Sequence, residues 1–247
     1  MAHDEQAHLL EQFLTAERLQ RLDASLETRT SSLTVVLDQI KNHQNVSAIM
    51  RTADAFGLTE VHFVGGPVFD YSPGISLGSE RWLSLERVQT AEESVSGLKN
   101  KGFSLVVLEP FEDYAKATGS NPAGKISVPV TDLPYEKKLA LVFGNELQGV
   151  SPVFREHADY LAYIPMKGFV ESLNVSVACA ICLFCSTIAP TVLAQRTAAL
   201  QVSEREQLRK RWLAKSVKRS DIVLRALNER RKGTGRKRSA GQKGHER

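Results

Sequence analysis

The sequence predicts an α/β protein with a parallel sheet that carries helices on both faces. Short apolar runs alternate with segments of helical periodicity between about residues 33 and 188. This alternation is typical of βαβ units, in which parallel strands are buried on both faces of the sheet. At 247 residues the chain is long enough for one large α/β domain with helical extensions at both ends.

The order of the predicted elements follows the apolar pattern. Residues 5–28 have amphipathic spacing and predict one or two helices. The predicted strands are 33–37, 60–64, 104–108, 139–143 and 160–164. The predicted helices are 46–56, 91–101, 173–188 and 204–231.

Glycine and proline concentrate in two segments that predict long loops. Residues 65–80 form a candidate substrate lid, and residues 110–136 form a second crossing loop. We therefore divide the chain into four parts by composition. They are an N-terminal helical extension (1–30), an α/β domain (31–190), a basic helix (191–232) and a basic tail (233–247) that lacks large apolar residues and is predicted to be disordered.

Charge is distributed unevenly along the chain. Residues 203–247 contain 16 Lys/Arg and 5 Asp/Glu, whereas residues 1–202 contain 16 and 23. A basic extension on a mildly acidic body favours a polyanionic partner, with phosphate contacts from Arg209, Lys210, Arg211, Lys218, Arg219 and Arg236–Arg238. The alternative is a solvated tail that only aids solubility.

Three features indicate a cytoplasmic protein. The first ten residues show no basic-then-apolar signal pattern. The longest apolar stretch, residues 177–189, is shorter than the roughly 20 residues that span a bilayer, so no membrane span is expected. Three cysteines in one short segment argue against a disulfide framework and for a reducing compartment.

The cysteines at 179, 182 and 185 have the C-x2-C-x2-C spacing of a cluster ligand set. On a helix the same spacing follows one apolar face, where cysteine packs as a small hydrophobic residue. There is no fourth cysteine, and the histidines show no ligand spacing, so no metal is expected. The sequence also lacks the G-x-S-x-G, Walker A and G-x-G-x-x-G patterns, which excludes the common hydrolase and nucleotide-binding signatures.

Three polar segments carry the remaining chemistry: 45–51, 143–151 and 172–176. The strands before them suggest that they meet along one edge of the sheet. Asn45 is placed as a helix N-cap, and Arg51 lies two turns later, near the same face. Its helix is otherwise small and apolar, so this guanidinium needs an anionic or carbonyl partner, and pairing with Glu146 is one outcome.

These three segments resemble motifs of the SpoU branch of the SPOUT superfamily, S-adenosylmethionine-dependent RNA 2′-O-ribose methyltransferases. The first motif matches Asn45 followed six residues later by Arg51, the second matches 141–151, and the third matches 164–178. The resemblance extends from about residue 17 to residue 189 and includes the pair at 82–83. Within the family, residues 17–22 and 33–37 are most similar to the TrmH type, which methylates guanosine 18 of tRNA.

The resemblance implies a SPOUT-type sheet whose C-terminal part forms a deep trefoil knot, and a homodimer. It also implies that S-adenosyl-L-methionine is bound largely through backbone groups by Leu108, Gly144, Ile164 and Leu173. The domain at 31–190 is then the methyltransferase domain.

The catalytic roles are likewise implied by matching position. Arg51 would orient the ribose hydroxyl and stabilise the developing alkoxide, because an arginine normally stays protonated and is a poor base. Asn45 would hold Arg51 or the ribose. Glu146, Ser172 and Asn174 would fix the loops and substrate, and Arg21 matches a family arginine linked to catalysis or RNA contact.

The implied function is methylation of a ribose 2′-hydroxyl in RNA, at guanosine 18 in the tRNA D-loop. The chain has His43-Gln44 where related enzymes have Pro-His, which leaves two alternatives open. One is an rRNA 2′-O-methyltransferase, including the resistance-conferring type, and the other is an RNA-binding protein without catalysis.

Overall fold

The computed structural model describes residues 2–65, 78–110, 126–188, 200–217, 220 and 222. The chain divides into two compact units. Residues 28–200 form the central unit, and residues 1–27 form the terminal unit together with residues 201–247.

The central unit is built on seven parallel strands. They are β1 (Leu33–Asp38), β2 (Glu60–Val64), β3 (Ser84–Val88), β4 (Ser104–Leu108), β5 (Ile126–Pro129), β6 (Leu139–Phe143) and β7 (Tyr160–Tyr163). The spatial order is β3-β2-β1-β6-β4-β7-β5. Strand β6 therefore lies between β1 and β4, and the carboxyl ends of β1, β6, β4 and β7 are neighbours along one edge.

Seven α-helices have described bounds. They are α1 (Ala2–Glu11), α2 (Ala16–Glu27), α3 (His43–Ala55), α4 (Ala91–Asn100), α5 (Pro152–His157), α6 (Val175–Ile188) and α7 (Val202–Ser216). The strands alternate their side chains between two apolar clusters, one on each face. Val35 and Leu141 join the cluster that includes residues of α3 and α6, whereas Val36 and Val142 join the one that includes residues of α4 and α5. The prediction of a parallel sheet covered on both faces is confirmed.

Strands β3 and β5 were not predicted because both lie at the edges of the sheet. An edge strand needs less apolar character, and β3 carries exposed Glu86 and Arg87 while β5 ends at Pro129. The predicted loop at 110–136 is therefore wrong over residues 126–132, where β5 and a 3-10 turn lie. Residues 66–77 and 111–125 of the two predicted loops lie outside the described residues.

The start of α3 also differs from prediction. The helix begins at His43, and its N-cap is Asn42, whose Oδ1 accepts hydrogen bonds from the backbone N–H groups of Gln44 and Asn45. The prediction that Asn45 caps the helix is wrong. Asn45 lies inside the first turn with a buried side chain, so it is available for a tertiary contact.

The cysteines of α6 pack on its apolar face, as predicted. Cys179 and Cys182 are fully buried in the cluster beside α3, and Cys185 packs against it. Burial raises the pKa of all three thiols, which keeps them protonated. Among the described residues, no group of His, Cys, Asp and Glu side chains has the arrangement of a metal site.

The terminal unit contains buried apolar side chains and a group of ion pairs around one arginine. Leu10, Leu22 and Trp212 are buried in it. The Arg209 guanidinium on α7 donates to both carboxylate oxygens of Asp23 at 2.6 and 3.1 Å and also pairs with Glu11. These bonds to carboxylates raise the pKa of Arg209 further above its ordinary value. Arg209 is therefore already occupied by carboxylates, contrary to its predicted use as a phosphate contact.

The predicted helix at 204–231 is observed as Val202–Ser216. Its extension beyond residue 222 and the predicted disordered tail lie outside the described residues. No helix in the described part of the chain combines the length and apolarity needed to cross a bilayer.

Replacing Arg209 tests its structural role. We expect Arg209→Ala to lower the local stability of α1 and α2 by about 1 kcal/mol, because Asp23 and Glu11 lose their shared cation. Hydrogen exchange read by mass spectrometry should show faster exchange in Ala2–Glu11 and Ala16–Glu27 with the sheet unchanged. The control is Lys210→Ala, the next residue on α7. Equal protection in both variants would contradict the role assigned to Arg209.

Candidate active site

A cavity of about 380 Å³ opens at the carboxyl ends of β4, β6 and β7. Its size falls within the roughly 300–1,000 Å³ typical of small-molecule sites. The segments after these three strands and the first turns of α6 supply its wall. The lining residues are Leu108–Pro110, Phe143–Val150, Arg155, Ile164, Met166, Ser172, Leu173, Val175 and Ala178.

The loop after β6 owes its shape to two glycines. Asn145 and Gly149 exchange backbone hydrogen bonds of 3.0 and 2.8 Å, and Gly149 has a φ of +68°, a conformation that favours glycine. The returning chain passes so close to Gly144 that a Cβ there would lie 2.2 Å from the Gly149 carbonyl carbon. Only glycine fits at 144, so this stretch of the cavity wall consists of backbone.

The same loop is tied to the end of β1 by two side chains. Asn145 Nδ2 donates to the Gln39 carbonyl oxygen at 3.1 Å, and Asn145 Oδ1 accepts from the Leu147 N–H at 2.8 Å. Asp38 Oδ2 accepts from the Ser151 N–H at 2.7 Å, where the loop enters α5. The loop is therefore held at both ends by a strand more than a hundred residues earlier in the sequence.

Asp38 is 1% exposed, and its burial raises the pKa of its carboxyl group although the hydrogen bonds from Ser151 oppose that shift. Sequence reasoning missed this residue because it ends an apolar strand and belongs to none of the three polar segments. A carboxylate directly after a buried strand is a signal that could have drawn attention to it.

The three polar segments do meet at this edge of the sheet. Asn45 Nδ2 donates to Glu146 Oε1 at 2.5 Å, and Asn45 Oδ1 accepts from Asn174 Nδ2 at 3.1 Å. Asn174 Oδ1 then accepts from the Ser176 backbone N–H at 2.9 Å and so caps α6. These four residues form a continuous relay of hydrogen bonds from a carboxylate to a helix start.

Arg51 lies elsewhere on α3. The interval of six residues from Asn45 rotates a side chain by about 120° around the helix axis, so the two do not share a face as predicted. The structure shows Asn45 buried and Arg51 exposed. Among the described residues, Arg51 has no hydrogen-bond or ion-pair partner, and Glu146 bonds to Asn45 instead of pairing with Arg51.

The ten predicted site residues fall into three groups. Six of them line the cavity: Leu108, Gly144, Glu146, Ile164, Ser172 and Leu173. Asn45 and Asn174 are not among the lining residues and hydrogen bond to each other. Arg51 is exposed on α3, and Arg21 is exposed on α2 in the terminal unit.

Comparison with known proteins identifies the family. Residues 32–184, more than half of the chain, match the family model described as SpoU rRNA Methylase family. The chain belongs to the SpoU family. Curated relatives include the tRNA (guanosine(18)-2′-O)-methyltransferases of Borreliella burgdorferi and Aquifex aeolicus. The first is 32% identical over 89% of this chain and 95% of the relative, and the second is 38% identical over 71% and 78%.

Solved SpoU structures share the fold. The A. aeolicus TrmH/SpoU tRNA modifying enzyme matches with a TM-score of 0.69 and 34% identity over 82% of this chain and 98% of that one. AviRb from Streptomyces viridochromogenes, a SpoU methyltransferase solved in complex with AdoMet, matches with a TM-score of 0.54 and 25% identity over 66% and 62%. The seven-stranded parallel sheet is thus a sheet of the SpoU type.

The tight loop after β6 gives a direct test of the cavity. We expect Gly144→Ala to weaken binding of S-adenosylhomocysteine at least about tenfold, because the new methyl group forces the chain at Gly149 and Val150 out of place. Calorimetry would measure the affinity for S-adenosylhomocysteine. The control is Gly168→Ala, where a Cβ meets no atom within 4 Å. Similar affinities in the two variants would contradict the assignment of this wall as a binding surface.

The buried carboxyl group of Asp38 predicts a pH-dependent stability difference. Its pKa is raised above the ordinary value of 3.8, so the folded state binds this proton more tightly than the unfolded state. The wild type should therefore lose stability relative to Asp38→Asn as pH rises from 3.8 through the raised pKa, by up to about 1.4 kcal/mol per pH unit. Urea denaturation of both proteins between pH 3.5 and 7 would measure the difference in their free energies of unfolding. A difference that does not change with pH would refute the prediction.

Proposed function

We propose that this protein transfers a methyl group from S-adenosyl-L-methionine to the 2′-hydroxyl of a ribose in tRNA, at guanosine 18. The observation that carries the proposal is the relay joining Glu146, Asn45 and Asn174, which unites the three family motifs beside one cavity. Family membership and the tRNA-modifying relatives supply the reaction class.

The cavity fits the cofactor in size and chemistry. We assign Leu108, Gly144, Ile164 and Leu173 to it, since all four line the wall. The close approach at Gly144 exposes peptide groups, and backbone N–H and C=O groups can recognise an adenine ring. When bound, the cofactor supplies an activated methyl group on a sulfonium.

The relay has a positioning role in this proposal. Asn45 is held by Glu146 on one side and Asn174 on the other, so its amide has a fixed orientation. Glu146 and Ser172 line the cavity and would meet the incoming ribose from the loops after β6 and β7. Fixing these groups before the substrate arrives lowers the entropic cost of alignment.

Arg51 is the proposed contact for the reacting hydroxyl or its neighbouring phosphate. It is exposed and without a partner among the described side chains, and an unpaired guanidinium attracts an RNA anion. Its charge would orient the 2′-oxygen and stabilise the alkoxide that develops as the proton leaves. Arg21, exposed on α2, is proposed as an RNA contact.

A homodimer and a knot complete the proposal. Helix α6 is apolar around most of its circumference, and Val177 and Phe184, seven residues apart on one side, are 46% and 54% exposed. Such a face favours a second copy of the chain as its cover.

The insertion of β6 between β1 and β4, and of β7 between β4 and β5, is compatible with the deep trefoil knot that we propose for the C-terminal part of the sheet.

One relative favours ribosomal RNA as a second candidate substrate. The 23S rRNA (guanosine-2′-O-)-methyltransferase RlmB of Coxiella burnetii is 28% identical over 68% of this chain. The tRNA enzymes are more similar and match more of the chain. Incubating the protein with tRNA and rRNA fragments and locating the added methyl group by mass spectrometry would separate the two substrates.

Removing the Arg51 side chain tests the mechanism. We expect Arg51→Ala to slow methyl transfer at least about 100-fold while binding of S-adenosylhomocysteine stays within twofold, since Arg51 does not line the cavity. Single-turnover assays with labelled cofactor give the rate, and calorimetry gives the affinity. Lys41→Ala, which removes another exposed cation between β1 and α3, is the control. Full activity in Arg51→Ala would exclude the guanidinium from the reaction.

A further inference from the structure

An ion pair forms part of the cavity wall and has no role in the mechanism above. Glu109 follows β4, and Arg155 lies on α5; both line the cavity. Arg155 Nε is 2.7 Å from Glu109 Oε1, and the side chains are 48% and 9% exposed. A carboxylate this deeply buried is costly unless it is paired.

The position of Glu109 is fixed by its backbone as well as by the ion pair. Its N–H donates to the Ala162 carbonyl oxygen at 3.0 Å, which continues the pairing of β4 with β7 by one residue. Glu109 also directly follows Leu108, one of the proposed cofactor contacts. The carboxylate is therefore held at a defined point of the wall, directly after a proposed cofactor contact.

The chemistry of the Glu109–Arg155 ion pair indicates which class of ligand it could bind. A carboxylate offers about four acceptor sites, more than an ion pair with one guanidinium nitrogen uses, so it suits a ligand that brings several donors. A vicinal diol presents two hydroxyl donors that one carboxylate accepts together, and an acidic residue after a parallel strand binds ribose hydroxyls in this way in dinucleotide-binding folds. A zwitterionic amino acid would instead have to separate the two charges, which are 2.7 Å apart.

We propose that Glu109, held by Arg155, accepts hydrogen bonds from the ribose 2′- and 3′-hydroxyls of the adenosyl cofactor. The inference rests on the proposed function, because it names a subsite for the same cofactor. Glu109 recognises the diol, and Arg155 is a positioning residue that holds the carboxylate in place. The pair thus selects ribonucleoside cofactors over deoxy analogues.

The test compares S-adenosylhomocysteine with its 2′,3′-dideoxy analogue by calorimetry. We expect the wild type to bind the ribose form about 10–100-fold more tightly, since hydrogen bonds to a charged group are strong. Glu109→Ala should weaken the ribose form by a similar factor and leave the affinity for the dideoxy form within about threefold. Arg155→Gln should reduce the discrimination only in part, because the carboxylate remains.

Two controls make the outcome decisive. Glu92→Ala removes an exposed carboxylate on α4 that does not line the cavity and should leave both affinities unchanged. Glu109→Gln replaces Glu109→Ala if the smaller side chain prevents folding. It keeps one acceptor but loses the charge, so it should retain less discrimination than the wild type.

Each remaining outcome counts against a specific claim. Equal weakening of both ligands by Glu109→Ala would mean that Glu109 only shapes the wall, and equal binding of both ligands by the wild type would mean that no diol is recognised. Either result overturns the subsite while the proposed function stands. Failure of the wild type to bind S-adenosylhomocysteine at all would overturn the proposed function itself.

Discussion

The site depends on one charge-assisted hydrogen bond, from the Asn45 amide to the Glu146 carboxylate. It joins residues 101 positions apart, and the bond from Asn174 to Asn45 spans another 129. Three segments with no sequence proximity are thereby held in one geometry. A hydrogen bond to a carboxylate is roughly twice as strong as one between neutral groups, so the relay is anchored at its charged end.

The parallel sheet makes this convergence possible. All seven strands run in the same direction, so the segments that leave β1, β4, β6 and β7 emerge along one edge. The order β1-β6-β4 places the loop after β6 between two earlier strands, within reach of Asp38 and Gln39 at the end of β1. The tight turn at Gly144 then brings peptide groups to the cavity surface, where a side chain would have displaced them.

The sequence was a good guide where burial alone determines structure. The five predicted strands all exist, because strands buried on both faces must be apolar along their whole length. Edge strands need not be apolar along their whole length, and β3 and β5 were missed for that reason.

The N-cap of α3 shows a second limit of prediction from sequence. Asn42 and Asn45 are equally suitable by residue type, but Asn42 caps the helix while the Asn45 side chain bonds to Glu146, a contact that the local sequence does not reveal. Asp38 and Glu109 were missed because the contacts that distinguish them are made with residues on distant elements, Ser151 and Arg155.

The charged side chains of the proposed site are of two kinds: carboxylates that are paired within the protein, and an arginine that is exposed. Glu146 and Glu109 each have a partner in the structure, so the cavity is organised before any ligand binds. Arg51 has no partner among the described residues and stays exposed on α3. A guanidinium that was already paired would have to break that pair to meet RNA, which would cost part of the binding energy. In the proposed reaction, RNA would therefore meet a cation that has no partner among the described residues, whereas the cofactor would meet carboxylates that are already paired.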